Sequence, residues 1–290
     1  MQFLVPLAIT AGVFGALGGE PQMAVVKGVT RTVWLQNAGF IWVPFIAASA
    51  LAAWFGMNDV ASARASFREQ AIIFRRKNNW LMCWLYLGTF GSFIGYSAGM
   101  PLLIKSQFPG VNPTQYAFLG PLVGAIVRPV GGWIADKLGG ARVTFWNFIV
   151  MAASAGGILV FLPRGGAEGN FWGFLAMFIL MFVTTGIGNG STFRMIPVIF
   201  LTERKREAEG KEIAAQEQAQ KDAAKESAAV IGFSSAFAAY GAFFIPKAFG
   251  SSIRLTGGPE SALYGFLAFY VTCIVVTWWF YSRKNADIPC

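Results

Sequence analysis

The chain has 290 residues, of which 55% are hydrophobic and only 13% are charged, and its mean hydropathy is +0.53. This composition excludes an ordinary soluble domain and is typical of a helical membrane protein that crosses the bilayer several times. The net charge of +9 does not indicate nucleic-acid binding, because the basic residues fall in short loops between apolar segments.

Eight apolar segments are long enough to be read as transmembrane helices. In chain order they are 2–18, 34–56, 80–104, 114–135, 143–162, 171–200, 228–250 and 261–281. The first is apolar from the start, with no basic flank and no cleavage site. We therefore interpret it as a transmembrane helix in which the sequence starts part-way along, and not as a signal peptide. We therefore expect the chain to be an N-terminally truncated fragment.

A polar, Arg-rich segment at 57–79 separates two apolar spans from the six that follow. We expect residues 1–56 to be the remnant of an N-terminal bundle, 57–79 to be a cytoplasmic linker, and 80–284 to form a six-helix bundle. The Lys/Glu/Gln/Ala-rich segment 202–227 predicts a solvated helix. Most Lys and Arg residues fall in one alternating set of loops, which predicts that this set and the C-terminus are cytoplasmic.

The fourth span carries one isolated charge. Arg128 lies eight residues before Asp136, about 12 Å along a helix, and the residues between are apolar, Gly or Pro. An arginine at this depth usually faces a bundle interior or an ion pathway. All 14 acidic residues are expected in loops or at helix ends, so an external anion is favoured as its partner over a structural carboxylate. Pro129 predicts a kink beside the charge.

Histidine is absent from the chain, and the three cysteines have no metal-ligand spacing. His-based proton relays, His metal ligands and His general bases are therefore excluded. The sequence implies no cofactor and no metal site, and a membrane-embedded enzyme is the least supported class of function.

The segment from Gly132 to Arg142 fits the pattern G-x-x-x-D-[RK]-x-G-x-x-[RK], with Asp136, Lys137 and Gly139 at its inner positions. It resembles the loop motif of the major facilitator superfamily, which recurs between the second and third helices of each six-helix half. A tight turn would hold Asp136 where it can pair with a neighbouring base or helix N-terminus and latch one conformation; the alternative is a generic charged turn. The resemblance implies an all-α membrane protein with a bundle of about eight transmembrane helices.

Four further runs narrow this resemblance to the nitrate/nitrite porter family, the NarK-like transporters. They are TFGSFIGYSAG, QYAFLGPLVGAIVRPVGG, GNGSTFRMIPVIF and GFSSAFAAYGAFFIPKAFGSS. The resemblance covers essentially the whole chain, as the family's helix 5 to helix 12. The stretch with Gly232 and Gly241 is similar to the second of two signature motifs, whereas the first motif and a second arginine on helix 2 of the family are absent from this chain.

By position, the resemblance implies that Arg128 binds the substrate, that Tyr86 and Phe90 are aromatic pocket residues, and that Ser235 is a polar residue of the signature helix. The chemistry agrees, because a planar guanidinium donates two parallel hydrogen bonds to a flat oxyanion and Lys cannot. Tyr86 and Phe90 are four residues apart on one helix face, although such a pair alone is as often packing or lipid-facing. Ser235 can instead bond its own helix.

Three polar residues of the sixth span, Asn189, Ser191 and Thr192, either line the same cavity or serve packing contacts. Arg194 lies about 9 Å from the cytoplasmic end of its helix, so we expect its side chain to reach the membrane surface by snorkelling.

The resemblance implies transport of nitrate, nitrite or both by alternating access across the bacterial inner membrane. Because no carboxylate or histidine is predicted within the spans, we expect exchange of one anion for another and not proton coupling. Two alternatives stay open: a truncated or split half that needs an N-terminal partner, and a facilitator for another small anion.

Overall fold

The computed structural model describes residues 22–26, 29–34, 40, 42–57, 66–163, 168–286, 288 and 290. The chain divides into two compact units, residues 1–64 and residues 65–290. The predicted span 2–18 lies outside the described residues.

In the first unit, strands β1 (Gln22–Val26) and β2 (Val29–Val33) form an antiparallel hairpin in which Gln22 lies opposite Val33. The sequence analysis predicted a loop here. Helix α1 (Trp42–Gly56) lies within the predicted span 34–56, but its 15 described residues are fewer than the about 20 that cross a bilayer. Its large apolar side chains are exposed within this unit.

The second unit contains six helical stretches that are long and apolar enough to cross a membrane. They are Lys77–Gln107, Pro113–Leu138, Gly140–Phe161, Phe171–Glu207, Ile213–Thr256 and Glu260–Ser282. Each contains or closely matches one of the six predicted spans from 80–104 onward, and the differences lie at the ends, where helices continue into polar sequence. The prediction of an all-α membrane fold is confirmed, with the unpredicted hairpin confined to the first unit.

Several of these stretches are divided by turns, and the parts are labelled separately. Their bounds are α2 (Lys77–Tyr86), α3 (Ser92–Gln107), α4 (Leu119–Leu138), α5 (Gly140–Phe161), α6 (Phe171–Glu207), α7 (Ile213–Ala239), α8 (Gly241–Thr256) and α9 (Glu260–Thr277). A π-helical turn, Leu87–Gly91, joins α2 to α3, and short helical turns occupy Phe67–Gln70, Ala71–Arg75, Pro113–Tyr116 and Trp278–Ser282.

Helix α6 packs against α4, α5 and α7 and so forms the centre of the second unit. Glycines let α4 and α6 approach backbone to backbone: a Cβ on Gly124 would lie 2.9 Å from the Phe182 carbonyl oxygen, and one on Gly131 would lie 2.5 Å from the Ile187 Cα. Small residues at such crossings allow close packing without a hydrophobic driving force in lipid. The backbone of α4 on both sides of Arg128 is thereby fixed against α6.

An ion-pair network formed by Arg76, Arg204, Glu207 and Glu226 joins the end of α6 to the middle of α7. Arg76 lies 2.5 Å from Glu207 and 3.4 Å from Glu226, and Arg204 pairs with both carboxylates. The hydrogen bond with Glu207 raises the pKa of Arg76 above its usual range. Since Glu226 is only 4% exposed, the prediction that all of 202–227 is solvated was wrong: its last turn is buried between two arginines.

Candidate anion-binding site

Arg128 lies in the middle of α4 with an exposed side chain. Its guanidinium carbon is 5.8 Å from the centre of the Phe90 ring, a cation–π geometry. Among the described residues, no carboxylate forms an ion pair with it. Arg128 therefore presents a fixed positive charge that the described part of the chain does not neutralise.

The aromatic pair lies directly beside this charge. Tyr86 is the last residue of α2 and Phe90 lies in the π-helical turn, with the ring centres 5.3 Å apart and the planes 22° apart. Tyr86 is only 1% exposed, and its phenol lies near the Ser235 side chain and the Arg128 guanidinium. The structure thus brings all four predicted substrate-binding residues together, drawn from four elements of the second unit.

The π-helical turn that carries Phe90 is enclosed on several sides. A Cβ on Gly88 would lie 2.7 Å from the Phe148 ring, and one on Gly91 would lie 2.9 Å from the Ala238 carbonyl oxygen. The Thr89 hydroxyl lies 3.1 Å from that of Thr192. Single π-helical turns within α-helices are often found at functional sites. In the sequence, only the small residues of Leu87–Gly91 indicated tight packing.

The two glycines of the signature stretch have different surroundings. At Gly241, a Cβ would lie 2.6 Å from the backbone of Gly91, so the two helices approach as closely as backbone allows. At Gly232, nothing lies within 4 Å of such a Cβ. The stretch is also interrupted at Tyr240, where α7 ends and α8 begins.

Asp136 forms an ion pair with Arg194, which joins the end of α4 to α6. The prediction that Asp136 lies beside a neighbouring base agrees with this contact. Arg194, whose side chain the sequence analysis expected to reach the membrane surface by snorkelling, reaches this carboxylate at the end of α4. Both side chains are about half exposed, at 54% and 46%.

The rest of the loop motif forms a turn between α4 and α5. Gly139 has φ of 89°, which explains why Gly is needed there. The Lys137 ammonium lies 3.9 Å from the centre of the Trp133 ring, Arg142 is exposed, and Gly132 has open space beside it. A conformational role for this motif stays a prediction.

The polar residues of α6 are packing residues behind the site. Ser191 and Thr192 are buried, and their hydroxyls meet those of Thr144 and Thr89 at 2.8 and 3.1 Å. Asn189 is also buried, and its side-chain oxygen has no hydrogen-bond partner among the described residues. The sequence analysis left these roles open and did not single out Thr89 or Thr144.

A flat oxyanion at this position would meet a planar guanidinium, an aromatic face and a phenol. The guanidinium can donate two parallel hydrogen bonds, and the phenol can donate one more. Over the described residues there is no group of three or more Cys, Asp or Glu side chains arranged to hold a metal ion. The arrangement is suited to reversible anion binding.

Comparison with known proteins relates the chain to a family. The chain is 49% identical over 289 residues to the nitrate/nitrite transporter NarU of Escherichia coli (strain K12), and the match covers 98% of the chain. Over its full length the chain is homologous to the nitrate/nitrite porters. It is also 41% identical over 296 residues, covering 100% of the chain, to the probable nitrate/nitrite antiporter NarK2 of Thermus thermophilus. The predicted resemblance to NarK-like porters is therefore confirmed.

The chain spans 61% of the length of each of these two relatives. Its fold is similar to that of the major facilitator superfamily transporter FucP in the outward conformation, with a TM-score of 0.52 at 13% sequence identity, over 84% of this chain and 54% of that one. No protein-family model matches the chain. The relatives named here are transporters and an antiporter, and the membrane-spanning fold agrees with those names.

Proposed function

We propose that this chain is the part of a nitrate/nitrite porter that carries the Arg128 anion site, and that the porter exchanges the two anions by alternating access. The observation that supports this most directly is the unpaired guanidinium beside the Tyr86–Phe90 stack. The names of the relatives, NarU and NarK2, supply the substrates.

Exchange follows from the charge balance at the site. Arg128 is permanently charged, and no described carboxylate pairs with it to neutralise it when the anion leaves. Moving an empty, charged site through the membrane is costly, whereas a site holding a monovalent anion is close to neutral. The bound state is therefore the one that changes conformation, which couples the exit of one anion to the entry of another.

We propose that residues 1–56 are the remnant of an N-terminal bundle and that residues 57–79 are its cytoplasmic connection to the six-helix bundle. The greater length of the relatives supports this. We also propose that the porter lies in the bacterial inner membrane with its C-terminus cytoplasmic, as the Lys and Arg distribution favours.

Proteoliposomes test the proposal. The chain is reconstituted with nitrite inside and nitrate outside, alone and together with the part of Escherichia coli NarU that lies N-terminal to the aligned region. We expect exchange that Arg128→Lys abolishes without loss of the reconstituted protein, because an ammonium cannot reproduce the two parallel hydrogen bonds. Arg254→Lys, an exposed arginine of α8, is the matched control. Exchange that survives in Arg128→Lys would refute the site.

Competition with other anions tests the alternative of a facilitator for another small anion. Chloride, formate and bicarbonate are added outside at equal concentration with nitrate. Nitrite is added outside in a parallel experiment. We expect nitrite to compete with nitrate for exchange, and chloride, formate and bicarbonate to leave nitrate exchange largely unchanged. Stronger competition by a different anion would assign that anion as the substrate.

A further inference from the structure

Helix α6 contacts both the π-helical turn that carries Phe90 and the backbone of α4 at Arg128. It does so through two residues that are only two positions apart. Thr192 meets Thr89, the neighbour of Phe90 in the π-helical turn. Gly190 meets the backbone of α4, where a Cβ would overlap the Arg128 carbonyl oxygen and lie 2.5 Å from the Gly132 nitrogen. One short stretch of α6 therefore contacts both the turn that carries the Phe90 ring and the part of α4 that carries the Arg128 guanidinium.

The distances to the neighbouring acceptors indicate which of the two threonine hydroxyls donates the hydrogen bond. The Thr192 hydroxyl lies 2.7 Å from the Gly188 carbonyl oxygen of its own helix, so its single proton is donated there. Its oxygen then accepts from Thr89 at 3.1 Å. The other acceptors within reach of Thr89, the Leu85 and Tyr86 carbonyl oxygens, are farther away at 3.4 and 3.5 Å.

This hydrogen bond lies in a fully enclosed place. Thr89 and Thr192 are both 0% exposed, so water cannot replace a lost partner and the Thr89 hydroxyl would be left to its two long local contacts. Thr89 immediately precedes Phe90 in the π-helical turn, so a shift that brings its hydroxyl closer to those acceptors moves the backbone that carries the ring. Loss of the bond is therefore expected to displace the turn and the Phe90 ring on it.

We propose that Thr192 and Gly190 are positioning residues that set the separation between the Phe90 ring and the Arg128 guanidinium, and thereby the affinity for the anion. The link to affinity rests on the proposed function, since the anion must bind between these groups. The link to geometry does not, because it concerns the contacts of the chain itself.

The test labels the ring and reads both links. 4-Fluorophenylalanine is placed at position 90 of the purified chain, and its ¹⁹F NMR signal is recorded for Thr192→Val, Thr192→Ser and the unsubstituted chain. Valine has the shape of threonine without the hydroxyl, and serine keeps the hydroxyl. Thr185→Val is the matched control, because Thr185 is a buried α6 residue whose hydroxyl, among the residues described, bonds only its own helix, at 3.0 Å to the Phe182 carbonyl oxygen.

Without nitrate, we expect Thr192→Val to shift or split the fluorine signal, whereas Thr192→Ser and Thr185→Val keep the original one. With nitrate, we expect Thr192→Val to weaken binding about fivefold, the effect of one lost hydrogen bond, and Thr192→Ser to change it by less than about twofold. Gly190→Ala, which pushes directly on α4, is expected to weaken binding at least as much while leaving the fluorine signal of the free chain closer to the original.

The two links fail separately. An unchanged fluorine signal in Thr192→Val, or the same change in Thr185→Val, would overturn the positioning role. An unsubstituted chain whose fluorine signal does not respond to nitrate would contradict the proposed function, while the comparison of the nitrate-free spectra would still decide the role of Thr192. A displaced ring with unchanged nitrate affinity would overturn the link between separation and affinity.

Discussion

Gly241 and Gly91 meet backbone to backbone: a Cβ on Gly241 would lie 2.6 Å from both the carbonyl carbon and the Cα of Gly91. The contact joins the first residue of α8 to the last residue of the π-helical turn. It is reinforced at Gly95, where a Cβ would lie 2.6 Å from the Gly241 carbonyl oxygen. The stretch that resembles the family's signature motif is therefore in direct contact with the turn that holds Phe90.

This contact predicts opposite outcomes for two glycine substitutions in the signature stretch. Gly241→Ala is expected to destabilise the chain by about 1–3 kcal/mol, since the added methyl meets rigid backbone that has to shift. Gly232→Ala has open space around it and is expected to be neutral or to stabilise α7 by up to about 1 kcal/mol through helix propensity. Thermal unfolding in detergent measures both. Equal effects of the two substitutions would contradict the packing role of Gly241.

A second prediction concerns the buried carboxylate of the ion-pair network. Glu226→Gln removes the charge that Arg76 and Arg204 share at the base of the bundle. We expect a loss of about 1–3 kcal/mol, because the guanidinium groups of Arg76 and Arg204 lose their buried charged partner and keep only the half-exposed carboxylate of Glu207. Urea or thermal unfolding in detergent measures the loss.

The control for this prediction is Glu217→Gln in the same helix. Glu217 is exposed, and substitutions at such positions usually change stability by less than about 0.5 kcal/mol. If Glu226→Gln is as mild as Glu217→Gln, the network contributes nothing to stability.

The candidate site residues were predictable from sequence, one from its chemical character and three from the resemblance to a family. An arginine at membrane depth stands out from its apolar surroundings, and Tyr86, Phe90 and Ser235 followed from the resemblance. Tertiary packing places them together: Ser235 lies near Tyr86 although about 150 positions separate the two residues, and no local pattern encodes such a proximity.

Other features were missed for physical reasons that can be stated. The π-helical turn depends on packing around Gly88 and Gly91, and its sequence is compatible with an ordinary α-helix. The burial of Glu226 and the pairing of Arg194 with Asp136 both require partners from distant helices. A charged residue near a helix end looks solvent-exposed in sequence, whereas its neighbours decide whether it is.

A third prediction separates the phenol of Tyr86 from its ring. Tyr86→Phe keeps the stack with Phe90 and removes the hydroxyl, which lies near Ser235. We expect nitrate affinity to fall about fivefold, as for one lost hydrogen bond, with little change in stability. Isothermal titration calorimetry on the reconstituted porter measures the affinity.

Double substitution tells whether the two hydroxyls act together. If Ser235 serves to orient the phenol, Tyr86→Phe with Ser235→Ala should bind nitrate no more weakly than Tyr86→Phe alone. Additive losses would mean that Ser235 contacts the anion independently.

The fourth prediction tests the Asp136–Arg194 pair as a conformational latch. Both side chains are about half exposed, and ion pairs of this kind contribute about 1 kcal/mol or less to stability. Asp136→Asn and Arg194→Gln are therefore expected to leave thermal unfolding nearly unchanged. Exchange should change severalfold, because the pair joins the ends of α4 and α6, and α4 carries Arg128. Exchange measured in proteoliposomes, beside unfolding in detergent, separates the two effects.

Charge reversal provides the decisive comparison for the latch. The double substitution Asp136→Arg with Arg194→Asp keeps an ion pair at the same place with opposite polarity, whereas either reversal alone places two like charges together. We expect the double variant to recover most of the exchange that each single variant loses, since attraction between the helix ends is what the latch requires. If the double variant is as impaired as the single ones, the carboxylate acts through a different partner, and the pair with Arg194 is incidental to transport.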